Sequence, residues 1–76
     1  MTLSKNEVSK MVGSKIRTIR NAKQLSIEKV AFDAGMEYTQ LSRIELGKIN
    51  TSIYHIYKIS CSLDVKIPDI FIELDK

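Results

Sequence analysis

Two glycines, Gly35 and Gly47, bracket the run "MEYTQLSRIEL", and this bracketing restricts the chain more than any other feature. Glycine takes the left-handed conformation at a helix C-terminus without a side-chain penalty, so each one reads as a stop. Before Gly35, the residues Ile27, Val30, Ala31 and Ala34 fall at i, i+3, i+4 and i+7, and Ser26 stands where an N-cap belongs. Between the glycines a helix from Tyr38 to Leu46 buries Leu41 and Ile44 beside Met36 and turns Tyr38, Thr39, Gln40, Ser42 and Arg43 the other way. The spacing therefore predicts two short helices joined by a tight turn, the second carrying a polar surface.

The rest of the chain supplies helices for this pair to lean on. Val8, Val12, Ile16 and Ile19 put one apolar stripe on a first helix from Ser4 to Ala22, and "NAKQLS" breaks it. "KINTS" reads as a loop in which Thr51 or Ser52 caps a fourth helix with a buried stripe of Ile53, Ile56, Ile59 and Leu63. Pro68 suits the first turn of a fifth helix carrying Ile70 and Phe71. No alternating run is long enough for a sheet. The expectation is an all-α single domain of 76 residues, built as a five-helix bundle.

Composition narrows the partners. The lone Cys61 cannot close an internal disulfide, which fits a reducing cytosol. No apolar run approaches the roughly 20 residues of a membrane span, and "MTLSKNEVSK" lacks a signal-peptide core. A cytoplasmic protein with no membrane partner is expected. Residues 1–61 hold ten Lys/Arg against five Asp/Glu, whereas residues 62–76 hold Lys66 and Lys76 against Asp64, Asp69, Glu73 and Asp75. A polyanion would meet the first part, and the acidic end would face away from it or towards protein.

From Val12 to Phe71 the chain resembles the lambda-repressor-like helix-turn-helix family of Cro or XRE type. The resemblance rests on "IRTIR" in the first helix, "LS" before the second, "SRIELGK" closing the third and "LDV" after the fourth, all at the family's spacing. Compact members of that family include phage repressors and the controller proteins of restriction-modification systems. The resemblance implies that helices 2 and 3 form the helix-turn-helix and that helix 3 enters the major groove of double-stranded DNA. The side chains suit that role. Gln40 can pair with adenine and Arg43 with guanine, Thr39 offers a hydroxyl and a methyl, and Tyr38 and Ser42 stand close enough to assist. Lys48, Asn50, Thr51 and Ser52 would hold phosphates. The family's ion pair between helices 1 and 3 maps onto Arg20 and Glu45, a structural role for that acid.

This chain also departs from the family. Ile27 replaces a glutamine whose side chain holds a phosphate, Glu37 stands where Ser or Thr is common before helix 3, and Leu46 replaces a polar residue.

The C-terminal stretch "IPDIFIELDK" places Ile67, Ile70, Phe71, Ile72 and Leu74 within eight residues. That is more apolar surface than a terminal helix hides on so small a domain, so residues 66–76 are expected to form a homodimer. His55 is expected to face solvent and Cys61 to sit at the edge of the core, with Tyr54, Tyr57 and Phe32 partly buried by neighbouring helices. No phosphate-cradling loop, nucleophile–base pair, paired carboxylates or metal spacing appears, so neither enzyme chemistry nor a metal, cofactor or small-molecule ligand is expected. The leading expectation is a sequence-specific DNA-binding transcriptional regulator, nucleoid-associated, acting as a homodimer on an inverted repeat. The competing one is an antitoxin or anti-repressor type of protein-interaction module with secondary DNA binding.

Overall fold

The computed structural model describes residues 2–75, and among these it is entirely helical. Helix α1 spans Lys5–Ala22, α2 Ile27–Asp33, α3 Tyr38–Glu45, α4 Ile53–Leu63 and α5 Ile67–Phe71, with a 3₁₀ turn over Ile72–Asp75. Serines start three of them. Ser4 Oγ accepts from the Glu7 backbone N–H at 3.1 Å while the Glu7 carboxylate accepts from the Ser4 N–H at 2.9 Å, a reciprocal cap. Ser26 Oγ accepts from Lys29 N–H, and Ser52 Oγ from His55 N–H. Ser52 rather than Thr51 is therefore the cap of α4. At α5 the Asp69 carboxylate accepts from the Lys66 N–H, and Pro68, which has no N–H, fits the first turn, where backbone N–H groups lack intrahelical partners.

Both bracketing glycines adopt positive φ, +70° at Gly35 and +73° at Gly47. The core they help close comprises Val12 and Ile16 of α1, Val30, Ala31 and Ala34 at α2, Leu41 and Ile44 of α3, Ile56, Ile59 and Leu63 of α4 and Ile70 of α5. Two apolar residues depart from expectation, in opposite directions. Ile53 does not belong to the buried stripe of α4: it is 85 % exposed, because it stands at the first position of the helix, beyond the reach of the core. Ile70, expected at an interface, is only 1 % exposed and fills its own protomer's core.

Helix α1 carries the bundle's least obvious packing device. Gly13 is buried in the middle of that helix, where glycine is about 1 kcal/mol worse than alanine. A Cβ there would overlap the carbonyl oxygen of Ile44 and crowd that of Glu45. The glycine thus lets the backbone of α1 lie against the C-terminal turn of α3. A Cβ at Gly47 would likewise run into the backbone and side chain of Lys10. No helix among the described residues is long and apolar enough to cross a membrane.

Candidate nucleic-acid interface

The turn between α2 and α3 is closed by backbone alone. The Met36 N–H reaches the Ala31 carbonyl at 3.0 Å and the Gly35 N–H that of Phe32 at 3.1 Å. Glu37 then caps α3 without a side-chain hydrogen bond, so its carboxylate contributes only its charge near the positive end of the helix.

From there α3 is fixed by its far end. Arg20, on the last turn of α1, grips Glu45 with two donors: Nε to Oε2 at 2.7 Å and Nη2 to Oε1 at 3.0 Å. Its third nitrogen, Nη1, donates to the Leu25 carbonyl at 2.8 Å, which ties the α1–α2 connection into the same cluster. The hydrogen bonds from the guanidinium to Glu45 raise the affinity of Arg20 for its proton above the ordinary value. Both side chains are buried, 10 % and 3 % exposed, so the fork replaces water for two ions at once. The pairing expected of Arg20 and Glu45 is therefore present, and Gly13 beside it lets the two helices close.

Held this way, α3 presents an outer face that runs from its first turn to its last. Tyr38, Thr39 and Arg43 are exposed, and Leu41 and Ile44 are buried beneath them. Gln40 and Ser42 are half-buried. Gln40 is engaged: its Nε2 lies 3.2 Å from His55 Nδ1, and Thr51 Oγ1 lies 3.4 Å from the same ring nitrogen. His55 is accordingly not the solvent-facing residue expected, since Gln40 from α3 covers it. Ser42 lines a shallow hollow with Arg17, Arg20, Ile27, Glu45 and Leu46, where α1, α2 and α3 meet.

Of the four candidate phosphate holders, Lys48 and Asn50 are exposed and Thr51 is half-buried against His55. Ser52 is exposed, but its oxygen already accepts as the cap of α4 and only its proton is left to give. Arg17 escaped the sequence reading. It is exposed, one turn before Arg20, and its signal was the first arginine of "IRTIR".

Three aromatic side chains outside α3 are exposed as well. Phe32 is 81 %, Tyr54 64 % and Tyr57 49 % exposed, so these rings are not partly buried by neighbouring helices as expected. Cys61 is exposed too rather than at the core edge, and the nearness of its thiol raises the Tyr57 phenol above its usual range. The apolar residues assigned to self-association divide. Ile67 and Phe71 are half-buried and line an open groove with Val8, Val12, Ile53 and Ile56, Ile72 is 55 % exposed, and Leu74 is half-buried. Ile70, inside the core, offers nothing to a partner.

Comparisons with known proteins bear on this geometry. A family model described as helix-turn-helix matches residues 16–70. The chain is 39 % identical over 66 residues to control protein C.BamHI of Bacillus amyloliquefaciens, covering 86 % of this chain and 82 % of that one. It is 32 % identical over 72 residues to control protein C.MunI of a Mycoplasma species, covering 93 % and 97 % respectively. Among solved structures, the restriction-modification controller protein C.AhdI of Aeromonas hydrophila superposes with a TM-score of 0.81 at 32 % identity, over 83 % of this chain and 96 % of that one.

Proposed function

The chain belongs to the helix-turn-helix family of transcription regulators, and from that premise we propose that it is a restriction-modification controller: a homodimer that binds an inverted-repeat operator and reads it with α3. The observation that carries this reading is the contrast within α3. Its inner face is clamped to α1 at Glu45 by Arg20 and Gly13, while Tyr38, Thr39 and Arg43 stand exposed on its outer face. Groups held by packing and second-level hydrogen bonds are the ones that discriminate bases, because their geometry is set before DNA arrives.

Around that core the roles follow from chemistry. Arg43 carries the fork that matches the O6 and N7 of guanine, and Thr39 the methyl and hydroxyl that suit thymine or a phosphate. Lys48, Asn50 and the start of α4 at Thr51 and Ser52 hold one strand's phosphates, and Arg17 holds the backbone on the far side of α3. The single domain pairs through residues 66–76, using Ile67, Phe71, Ile72 and Leu74 together with Ile53. A protein with this task works in the cytoplasm on the nucleoid, without a catalytic site. The names of the relatives, as control proteins, support the regulatory role.

The exposed rings of Phe32, Tyr54 and Tyr57 favour a second reading, a module whose main partner is another protein. Selection of bound sequences from a random duplex library separates the two. A regulator of the proposed kind enriches an inverted repeat, with half-sites about one helical turn or roughly 34 Å apart. Recovery of unselected sequence would leave the interaction module as the better account.

A further inference from the structure

We propose that His55 sets the orientation of the Gln40 carboxamide, and thereby which base this residue reads. The inference rests on the reading of α3 as the base-reading helix and adds a residue from α4 to it.

The Gln40 amide nitrogen lies 3.2 Å from His55 Nδ1, across the joint between α3 and α4. With the amide nitrogen on that side the ring nitrogen accepts, which is the arrangement of an imidazole carrying its proton on Nε2. Thr51 Oγ1, 3.4 Å from the same nitrogen, does not decide the matter, because a hydroxyl donates or accepts as its neighbour requires.

The amide has two N–H groups. The one pointing away from Oε1 is spent on His55, and the other lies beside Oε1. Together they present one donor and one acceptor, the pattern that matches the N7 acceptor and N6 donor of adenine. A proton on Nδ1 reverses this. Two donors cannot face each other, so the carboxamide turns over, Oε1 accepts from the ring and the –NH₂ group faces outward. Two donors suit the N7 and O6 acceptors of guanine and oppose adenine N6. The half-buried joint restricts the choice to these two orientations, whereas an unheld glutamine offers both faces to any base.

Acid adds the second ring proton of a histidine, here at Nδ1, so lowering the pH tests the reversal. The titratable and charged groups on the elements around the ring are Glu37 at the cap of α3, Tyr38, Arg43 and Glu45 on that helix, Lys48 in the loop, and Tyr54, Tyr57, Lys58 and Cys61 on α4. None of these would turn an amide over. A role in folding alone would lower all binding alike without exchanging one base for another.

The experiment is library selection with the intact chain at pH 8 and pH 5.5, using wild type, Gln40→Ala, His55→Ala and His55→Asn. Asparagine places an acceptor oxygen near the position of Nδ1 and keeps it at both pH values. Wild type should enrich adenine at one position of each half-site at pH 8 and lose roughly tenfold of that preference at pH 5.5, with guanine gaining. His55→Asn should hold the adenine preference at both values, His55→Ala should weaken it at both, and Gln40→Ala should erase it. In the free protein, the side-chain amide resonances of Gln40 should move with the His55 ring between the two pH values, and stay still in His55→Asn. Selection that succeeds but is indifferent to pH and to His55, or an amide that ignores the ring, overturns the inference and leaves the function standing. Failure of wild type to select any base overturns the function and the base assignment together, and the resonance titration, which needs no DNA, then tells whether the ring holds the amide at all.

Discussion

The seam between α1 and α3 and the groove between α4, α5 and the start of α1 are built on opposite plans. The seam is polar and closed: Arg20 and Glu45 satisfy each other, the Leu25 carbonyl takes the remaining donor, and Gly13 lets the backbones touch. The groove is apolar and open, with Ile53 85 % exposed at its rim and Ile67 and Phe71 half-covered. A region that completes all of its interactions within one chain has a structural task. One that leaves large aliphatic side chains in water is open to a partner, which under the proposal above is a second copy. The seam fixes the angle of α3, and the groove is where a second copy would fix the distance between two such helices.

Substitutions should separate the two regions, and the largest effect belongs to the seam. Glu45→Ala strands the Arg20 guanidinium and should cost about 3–5 kcal/mol of folding stability, while replacing both residues with apolar side chains of similar size should cost much less. Denaturant melts of the single and double variants measure the difference, and equal losses would mean that the pair is not the buried unit described. Next comes Gly13→Ala. Alanine favours the helix, yet its methyl meets the Ile44 carbonyl, and overpacking of this kind costs about 1–3 kcal/mol. A neutral or stabilising result would show that the helices can part without loss.

In the groove the expected pattern inverts. Ile53→Lys should shift folding stability by no more than about 0.5 kcal/mol, as a surface substitution does. It should nonetheless weaken self-association by about tenfold or more, because it sets a charge against the apolar surface the two copies would bury. Sedimentation over a concentration series reads this, and an unchanged dimer would place the contact elsewhere. The smallest effect concerns the cap of α1. The hydrogen bonds to Ser4 hold the Glu7 carboxyl below its ordinary value of 4.5. The folded state therefore binds this proton less readily than the unfolded chain. Its contribution is complete above that value and fades as pH falls through the lower folded one. Glu7→Gln keeps the reciprocal cap without the charge and should flatten the acid limb of the stability profile slightly.

What the sequence disclosed follows the same division. Repeating spacing reveals which face of a helix is buried, so Val12, Ile16, Val30, Leu41, Ile59 and Leu63 were all legible. Serine before an apolar run revealed the cap at Ser26 and narrowed that of α4 to Thr51 or Ser52, and glycine revealed the stops at Gly35 and Gly47. The Arg20–Glu45 pair came from resemblance, since nothing local joins residues on different helices. Spacing is silent about what covers a face. Ile53 and Ile70 both sit in apolar patterns, yet one lies in solvent and the other in the core, because helix packing rather than periodicity decides how far the core reaches. Gly13 looked like an ordinary helix residue until a backbone from another helix appeared beside it. The joint of Gln40 and His55 was hidden for the same reason, being made between helices that meet only in the fold.

The central claim is that the α3 surface reads sequence while its flank only holds phosphate. Binding of Arg43→Ala and Lys48→Ala to the selected duplex and to random duplex, each across a range of salt, tests it most directly. Arg43→Ala should lose about 1–3 kcal/mol on the selected duplex and little on random DNA, relaxing the preference at one base position. Lys48→Ala should weaken both duplexes alike and lower the salt slope by about 1. Equal losses on both duplexes for Arg43→Ala would contradict the claim, since α3 would then be attracting DNA without reading it.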